Sequence, residues 1–251
     1  MAIGTKLTLG DSDLYENAAL YRSTIGALQY LTLSRLDIAY CVNKLSQFLK
    51  APTQNHWQAC KRLLRYLKGT SNYGILFIKS TRINLECYTD AAWASSIEDR
   101  RSTSGCCVFL GTNLLQWTSR KQKVVALSST KVEYRALAQE STKLAWFCSL
   151  FSELGVSLSE IPVIWCDNQS AGSLASNPVF HGRTKHIELD AYYVREQVTS
   201  HNLKVHYVST EHQKAEIFTK ALPASRFETL RLKLTVQAPP SYSSVNSTSL
   251  T

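Results

Sequence analysis

The hydrophobic pattern of the chain changes period at Ile83, and this change limits the folds it can adopt more than any other feature. Before Ile83 the apolar residues recur at helical spacing. In HWQACKRLLRYLKG they fall at Trp57, Cys60, Leu64 and Leu67, and Gly69 predicts the end of that helix. Residues 14–82 are therefore predicted to form a few helices, which are too small for an independent core and should pack on a neighbour.

After Ile83 the pattern predicts a mixed sheet covered by helices. We expect five strands, at 85–90, 105–111, 114–120, 163–167 and 203–208. We expect helices at 128–155, 184–198 and 213–222, and a short one beginning at Asn168. The predicted class is α/β, with α+β character. The predicted divisions are a helical segment 1–82, a domain 83–233, and a disordered Ser- and Pro-rich tail 234–251.

Composition restricts the compartment and the partners. Apolar runs are short, so we expect no membrane span, and the N-terminus resembles neither a signal peptide nor a transit sequence. The seven cysteines contain no C-x-x-C pair, which favours free thiols in a reducing compartment, cytoplasmic or nuclear. Residues 1–82 carry 11 Lys and Arg against 4 Asp and Glu, whereas the remainder carries 17 against 15. That basic excess indicates either a nucleic-acid partner or a solvated helix face.

Four acidic residues fall where a sheet of this kind gathers its ligands. Asp90 and Asp167 end two predicted strands, Glu133 lies early in the long helix, and Glu216 lies in the last predicted helix. Carboxylates without a His or Cys cluster suit Mg²⁺ or Mn²⁺. Two such ions, about 3.5–4 Å apart, stabilise the attacking and leaving oxygens of phosphodiester hydrolysis.

Each of these acids also has a purely structural interpretation. Thr130 to Glu133 reads T-x-x-E, a capping box that would close a helix N-terminus. Asp167 and Asn168 can form a strand-to-helix turn, and Glu216 can be a solvated helix residue. The order of the four acids along the elements favours the metal site.

Several longer stretches resemble a known family. YTDAAWASSIEDRRSTSGCCVFLGTNLLQWTSRKQKVVALSSTKVEYRALA, WCDNQSA, FHGRTKHIELD and VSTEHQKAEIFTKAL resemble the ribonuclease H domain of copia-type LTR retrotransposon Pol polyproteins, over roughly residues 84–233. The preceding segment resembles the thumb and connection that end the reverse transcriptase of such elements. The polymerase motif Tyr-x-Asp-Asp does not occur, so we expect no DNA synthesis.

The resemblance implies a ribonuclease H-like fold and a metal-dependent endoribonuclease that cleaves the RNA strand of RNA–DNA hybrids. Asp90 and Asp167 would bridge two Mg²⁺ or Mn²⁺ ions, Glu133 would hold one, and Glu216 would loosely hold the other. Further partners would be the rest of a Pol polyprotein, in a cytoplasmic virus-like particle or the nucleus.

Other residues are candidates for contacts with the hybrid. They lie at a helix start, after a strand and at a strand end: Ser128, Ser129, Thr130, Asn168, Gln169, Arg120, Lys121, Gln122 and Lys123. The alternatives are an N-cap at Ser129 or Asn168 and a solvated basic loop. For His186 a proton shuttle and a packing role are both open, and packing is preferred.

Departures from the family pattern point to impaired catalysis. Lys131 and Ala92 replace acids, Leu36 replaces a Pro, and Glu216 replaces an Asp, which moves a carboxylate by about one bond length. The alternative function is therefore a catalytically impaired, nucleic-acid-binding remnant. A transposase or integrase is a further alternative, but there the Glu follows both strand-end acids, whereas Glu133 lies between them.

Overall fold

The structure is a computed structural model that describes residues 7–170 and 188–239. Its α-helices are α1 (Ala18–Leu31), α2 (Ala39–Ser46), α3 (Gln54–Gly69), α4 (Ser129–Glu153), α5 (Glu188–Thr199) and α6 (Ala224–Lys233). Its strands are β1 (Gly74–Ile75), β2 (Leu85–Ala92), β3 (Thr103–Leu110), β4 (Asn113–Lys121), β5 (Val163–Cys166), β6 (Lys204–Tyr207) and β7 (Val236–Gln237). Short 3₁₀ helices span Leu36–Ile38, Thr210–His212 and Lys214–Phe218. Within these ranges, none of the helices combines the length and apolar character that crossing a bilayer requires.

The main sheet has five strands in the order β4-β3-β2-β5-β6. β2, β3 and β4 are antiparallel neighbours, whereas β5 pairs parallel with β2 and β6 pairs parallel with β5. All five predicted strands are present. The strand order and directions confirm the predicted α/β, ribonuclease H-like fold.

Both faces of this sheet are covered, which explains the nearly continuous burial of the residues of β2 and β3. On one face α4 and α5 pack over Cys87, Cys106 and Ile164. On the other face the 3₁₀ helix Lys214–Phe218 and α6 pack over Tyr88 and Cys107.

The helices before β1 form a core of their own and also pack on the sheet. Tyr21, Ile25 and Val42 lie in that separate core. Leu36 and Ala39 instead belong to the core of the second sheet face, and Trp117 Nε1 on β4 donates to the Thr32 carbonyl at 2.9 Å. The expected packing of these helices on a neighbour therefore occurs, but the expectation that they are too small for a core of their own is wrong.

Two regions near the C-terminus differ from the sequence prediction. The predicted helix 213–222 is a 3₁₀ helix that stops at Phe218, and the α-helix α6 follows it after Pro223. Proline fixes its own φ and lacks an amide donor, so it suits the start of α6 but not a helix interior. The sequence analysis did not predict α6.

The predicted disordered tail begins too early. Val236 and Gln237 form β7, which pairs antiparallel with Gly74 and Ile75, and the side chains of Leu234 and Val236 are buried. Burial of these two apolar side chains supports an ordered segment despite the Ser- and Pro-rich residues that follow. Residues 240–251 lie outside the described part of the chain.

Candidate metal-binding active site

Asp90 and Asp167 lie side by side at the C-terminal ends of the adjacent strands β2 and β5. In the parallel pairing of β2 with β5, Thr89 is opposite Cys166, so the next residue on each side is an aspartate. Neighbouring strands are about 4.8 Å apart, which brings these two residues to adjacent positions. The Asp90 side chain is buried, and Asp167 is half-buried.

Glu133 reaches the same strand ends from α4. Its Oε1 accepts a hydrogen bond from the Ala91 amide at 3.1 Å, and its Oε2 is buried without a hydrogen-bond partner among the described residues. The capping-box interpretation is wrong, because the N-cap of α4 is Ser128, whose hydroxyl accepts from the Lys131 amide. Glu133 therefore lies one turn inside the helix, with its carboxylate directed to the strand ends.

The 3₁₀ helix that carries Glu216 approaches β3 closely because position 105 is glycine. A Cβ at Gly105 would lie 2.6 Å from Phe218 Cβ and 2.8 Å from Thr219 Cγ2. Asp90 pairs with Gly105 across the strands, so the close approach brings this helix next to the Asp90 carboxylate. The Thr219 hydroxyl donates to Asp90 Oδ2.

Two cations hold Glu216 in place. Lys220 Nζ lies 3.1 Å from its Oε1, and Arg226 Nε donates to its Oε2 at 2.7 Å. Arg226 also donates to the Glu211 carbonyl at 2.8 Å, which fixes the guanidinium. The expected loose metal ligand is therefore an acid with both oxygens in ion pairs.

Burial makes the carboxylates of the site hard to ionise. It raises the pKa of Glu133 to about 9, and the charges of Asp90 and Asp167 add to this effect. Burial also raises the pKa of Asp90 to about 6 against the opposing hydrogen bond from Thr219, and it raises the pKa of Asp167. Burial acts to lower the pKa of Lys220, but the nearby carboxylates outweigh it and raise that pKa. The site lacks the positive charge that these carboxylates require when ionised.

The residues present fit a hard divalent cation. Glu133 and Asp167 supply carboxylate oxygens within 4.8 Å of each other, Asp90 occupies the adjacent strand position, and the free Glu133 Oε2 is a buried acceptor that a cation would satisfy. A bound cation would also offset the electrostatic cost that raises the three pKa values. The four predicted acids thus lie around one site, three of them suited to a metal and Glu216 held by ion pairs.

The predicted contacts with a nucleic acid have different environments. Ser128, Ser129 and Thr130 lie at the start of α4, with Ser128, rather than Ser129, as the cap. Asn168 and Gln169 directly follow the site residue Asp167. The contacts of these five residues with a nucleic acid stay a prediction.

The residues at the end of β4 are less suited, as a group, to contacts with the phosphates of a nucleic acid. Arg120 is exposed, whereas Lys121 Nζ pairs with Asp99 at 2.9 Å. Gln122 is buried and its amide donates to Ser104 Oγ at 2.7 Å and to the Val132 carbonyl at 3.1 Å. Gln122 therefore fixes α4 against β3 and is not available to phosphate, contrary to its predicted role. His186 lies outside the described residues.

The side chains that support the acids were not among the residues predicted from the sequence. Among the residues that the structure describes, the lysine paired with these carboxylates is Lys220, not Lys131. The spacing of Glu216 and Lys220, four residues apart, is a signal that was available. No local pattern links Arg226 to Glu216 or the Gln213 amide to the Thr89 carbonyl, which it reaches at 2.9 Å.

The order of the strands and the carboxylates at the ends of β2 and β5 define a ribonuclease H-like domain with an acidic site. No protein-family model matches the chain. The retrovirus-related Pol polyprotein from transposon RE2 of Arabidopsis thaliana is 46% identical over 242 residues, 96% of this chain and 17% of that protein. The one from transposon TNT 1-94 of Nicotiana tabacum is 39% identical over 209 residues, 83% of this chain and 16% of that protein.

Among solved structures, LC11-RNase H1 in complex with an RNA/DNA hybrid has 15% identity and a TM-score of 0.41, covering 54% of this chain and 94% of that chain. The sequence comparisons establish the family. The chain belongs to the retrovirus-related Pol polyproteins of copia-type elements, as its resemblance predicted. It spans only 17% and 16% of the length of the two relatives named above.

Proposed function

We propose that this chain is the ribonuclease H part of a Pol polyprotein and hydrolyses the RNA strand of RNA–DNA hybrids with Mg²⁺ or Mn²⁺. The observation that supports it is the convergence of the buried Asp90 and Glu133 with the half-buried Asp167 at the ends of two adjacent strands, where the carboxylates are short of positive charge. The proposal includes the divisions 1–82 and 83–233, and action in a cytoplasmic particle or the nucleus.

Each site residue has a part that follows from its contacts. Asp90, Glu133 and Asp167 would hold the metal, which when bound supplies Lewis acidity and an activated water for attack on phosphorus. The Ala91 amide fixes Glu133 Oε1 and leaves Oε2 free, and the Thr219 hydroxyl orients Asp90. Cleavage would leave 5′-phosphate and 3′-hydroxyl ends.

A second ion is part of the proposal and depends on Glu216. This acid can serve as a ligand only if it leaves the ion pairs with Lys220 and Arg226. Breaking two such pairs costs free energy, so we expect the second ion to bind more weakly than the first.

A cleft beside the site offers a path for the duplex. It has a volume of about 770 Å³ and lies between α3 and residues 217–227. Its lining includes Arg62 and Arg65 of α3 and, near the carboxylates, Lys220. Basic side chains along the cleft, with Lys220 linking it to the site, suit the phosphates of a hybrid.

Asp167→Asn tests the activity, because it keeps the shape of the side chain and removes its negative charge. We expect the purified chain with Mg²⁺ or Mn²⁺ to nick the RNA of a labelled hybrid, to spare double-stranded DNA, and to lose nicking in Asp167→Asn. Asp99→Asn, at a partly exposed acid paired with Lys121, is the matched control and should keep activity. Full nicking by Asp167→Asn would exclude this site as the source.

The second candidate function is a nucleic-acid-binding remnant. The observation that favours it is the double ion pairing of Glu216, which leaves the site one free acid short of four. Hybrid binding without nicking at high Mn²⁺ would support this alternative over the enzyme.

A further inference from the structure

Cys166, the last residue of β5, contributes a thiol beside two of the site carboxylates. The Sγ of Cys166 and a carboxylate oxygen of each of Glu133 and Asp167 all lie within 4.8 Å of one another. Cys166 is buried, and it pairs opposite Thr89, one position before the two aspartates at the strand ends. The three groups come from β5, the residue after it, and α4.

An independent observation shows that this cluster contains an unsatisfied ligand atom. Glu133 is only 6% exposed, and its buried Oε2 has no hydrogen-bond partner among the described residues. The Cys166 sulfur has weak hydrogen bonds with Asn168, whose amide lies 3.5 Å from it and whose carbonyl lies 3.9 Å from it. A buried acceptor and a weakly bonded sulfur therefore lie in the same small space.

We propose that Glu133, Cys166 and Asp167 form a binding site for a thiophilic divalent cation such as Zn²⁺ or Cd²⁺, which competes with Mg²⁺ for the two carboxylates. Sulfur is a poor ligand for Mg²⁺ and a good one for Zn²⁺. Three protein ligands and a water complete the usual coordination of zinc. On binding, the metal–sulfur bond replaces the S–H bond, the protons of the Cys166 thiol and of the Glu133 carboxyl pass to solvent, and no oxidation state changes.

The other buried cysteines on the same sheet face lack this environment. Cys106 Sγ lies 3.8 Å from Lys143 Nζ, whose positive charge opposes a second cation. The neighbouring acid, Glu140, already pairs with Lys143 at 2.8 Å. Cys106 is therefore a matched control for Cys166, with similar burial and an acid nearby but no free pair of carboxylates.

The test is a Cd²⁺ titration of the full chain without nucleic acid, followed by the ultraviolet charge-transfer absorption of Cd²⁺-bound thiolate. The parent protein carries Cys41→Ser and Cys148→Ser, which remove the two partly exposed thiols. We expect a band that saturates at one equivalent, is lost in Cys166→Ser, is kept in Cys106→Ser, and weakens with excess Mg²⁺. No band, a band unchanged in Cys166→Ser, or a band insensitive to Mg²⁺ would overturn the proposal.

Two further measurements keep the test decisive. If Cys166→Ser does not fold, Glu133→Gln and Asp167→Asn retain the thiol and should each lower the Cd²⁺ affinity by about tenfold or more. Unchanged affinity in both would contradict the shared site. In nicking assays, Zn²⁺ should inhibit the parent more strongly than Cys166→Ser. That last result rests on the proposed function, whereas the absorption band does not, so failure of one is separable from failure of the other.

Discussion

At the scale of single residues, the site is governed by the cost of burying charge. Glu133 lies in the second turn of α4 with one oxygen bonded to a backbone amide and the other without a partner. The sequence predicts that Asp90, Glu133 and Asp167 converge, because strand ends mark the two aspartates and a family motif marks Glu133. It did not place Lys220 or Arg226, because their pairing with Glu216 depends on how residues 214–226 turn in space.

The raised pKa of Glu133 predicts a pH-dependent stability without metal. The ordinary pKa of a glutamate is 4.5, and burial raises the pKa of Glu133 in the folded chain to about 9. Between these two pH values the folded chain keeps the Glu133 proton, whereas the unfolded chain releases it. Stability from this proton is therefore complete below about pH 4.5 and is lost as pH rises through about 9. In EDTA, the unfolding temperature should fall between pH 5 and 9 more in the wild type than in Glu133→Gln.

Glu160→Gln, at an exposed position, is the control for this pH series and should follow the wild type. Adding Mn²⁺ should raise the wild-type unfolding temperature most at high pH, because the metal takes the place of the proton. Parallel pH curves for wild type and Glu133→Gln would contradict the assignment of the buried proton.

Lys220 predicts a second effect at this scale. Its ammonium lies 3.1 Å from Glu216 and competes with a metal for the same carboxylates. Lys220→Met should therefore tighten Mn²⁺ binding by about tenfold in calorimetric titration. Lys131→Met is the control of equal charge change and should have a smaller effect. A larger effect at Lys131 would contradict this prediction and would show that the lysine at the family's acidic position opposes the metal.

At the scale of secondary-structure elements, strands were easier to predict than the C-terminal helices. The five strands follow from runs of buried β-type residues, which any two-sided sheet requires. The 3₁₀ helix Lys214–Phe218 has the apolar spacing of an α-helix, but it ends where Thr219 bonds back to the Glu216 carbonyl and to Asp90. That ending depends on a contact 129 residues away in sequence, which local spacing does not contain.

Gly105 predicts how tightly this element must pack. In Gly105→Ala the new Cβ would meet Phe218 Cβ at 2.6 Å, so the 3₁₀ helix must shift away from β3. We expect a loss of about 1–3 kcal/mol of stability in denaturant unfolding, together with weaker Mn²⁺ binding. Gly26→Ala, where the added Cβ meets nothing within 4 Å, is the control. Equal stability of the two variants would show that the close approach carries no constraint.

At the scale of the whole molecule, the helices before β1 and the sheet depend on each other. Arg35 pairs with Asp37 at 2.8 Å and lies over the Tyr73 ring, and Arg231 of α6 lies over the same ring. The two-stranded sheet of β1 and β7 joins the same regions. The sequence resemblance indicated two segments, but not these connections, because they join residues far apart in the chain.

These connections determine how the basic segment should be tested. Deleting residues 14–82 would expose the core that Leu36 and Ala39 share with Phe218, so lost hybrid affinity would be ambiguous. Charge-removing variants on the surface avoid this problem. Arg62 and Arg65 line the cleft beside the site, whereas Lys50 and Lys79 are exposed residues that are absent from its lining.

The double variant Arg62→Ala/Arg65→Ala should weaken hybrid binding and reduce the slope of log affinity against log salt by up to about two. The reason is that fewer counterions are released on binding when phosphate contacts are lost. Lys50→Ala/Lys79→Ala makes the same change in net charge and should leave both quantities nearly unchanged. Affinity would be measured by fluorescence anisotropy across a salt series in EDTA, so that binding is separated from cleavage. Equal losses in both variants would mean that only net charge matters, and no loss in either would mean that the basic face of α3 is merely solvated.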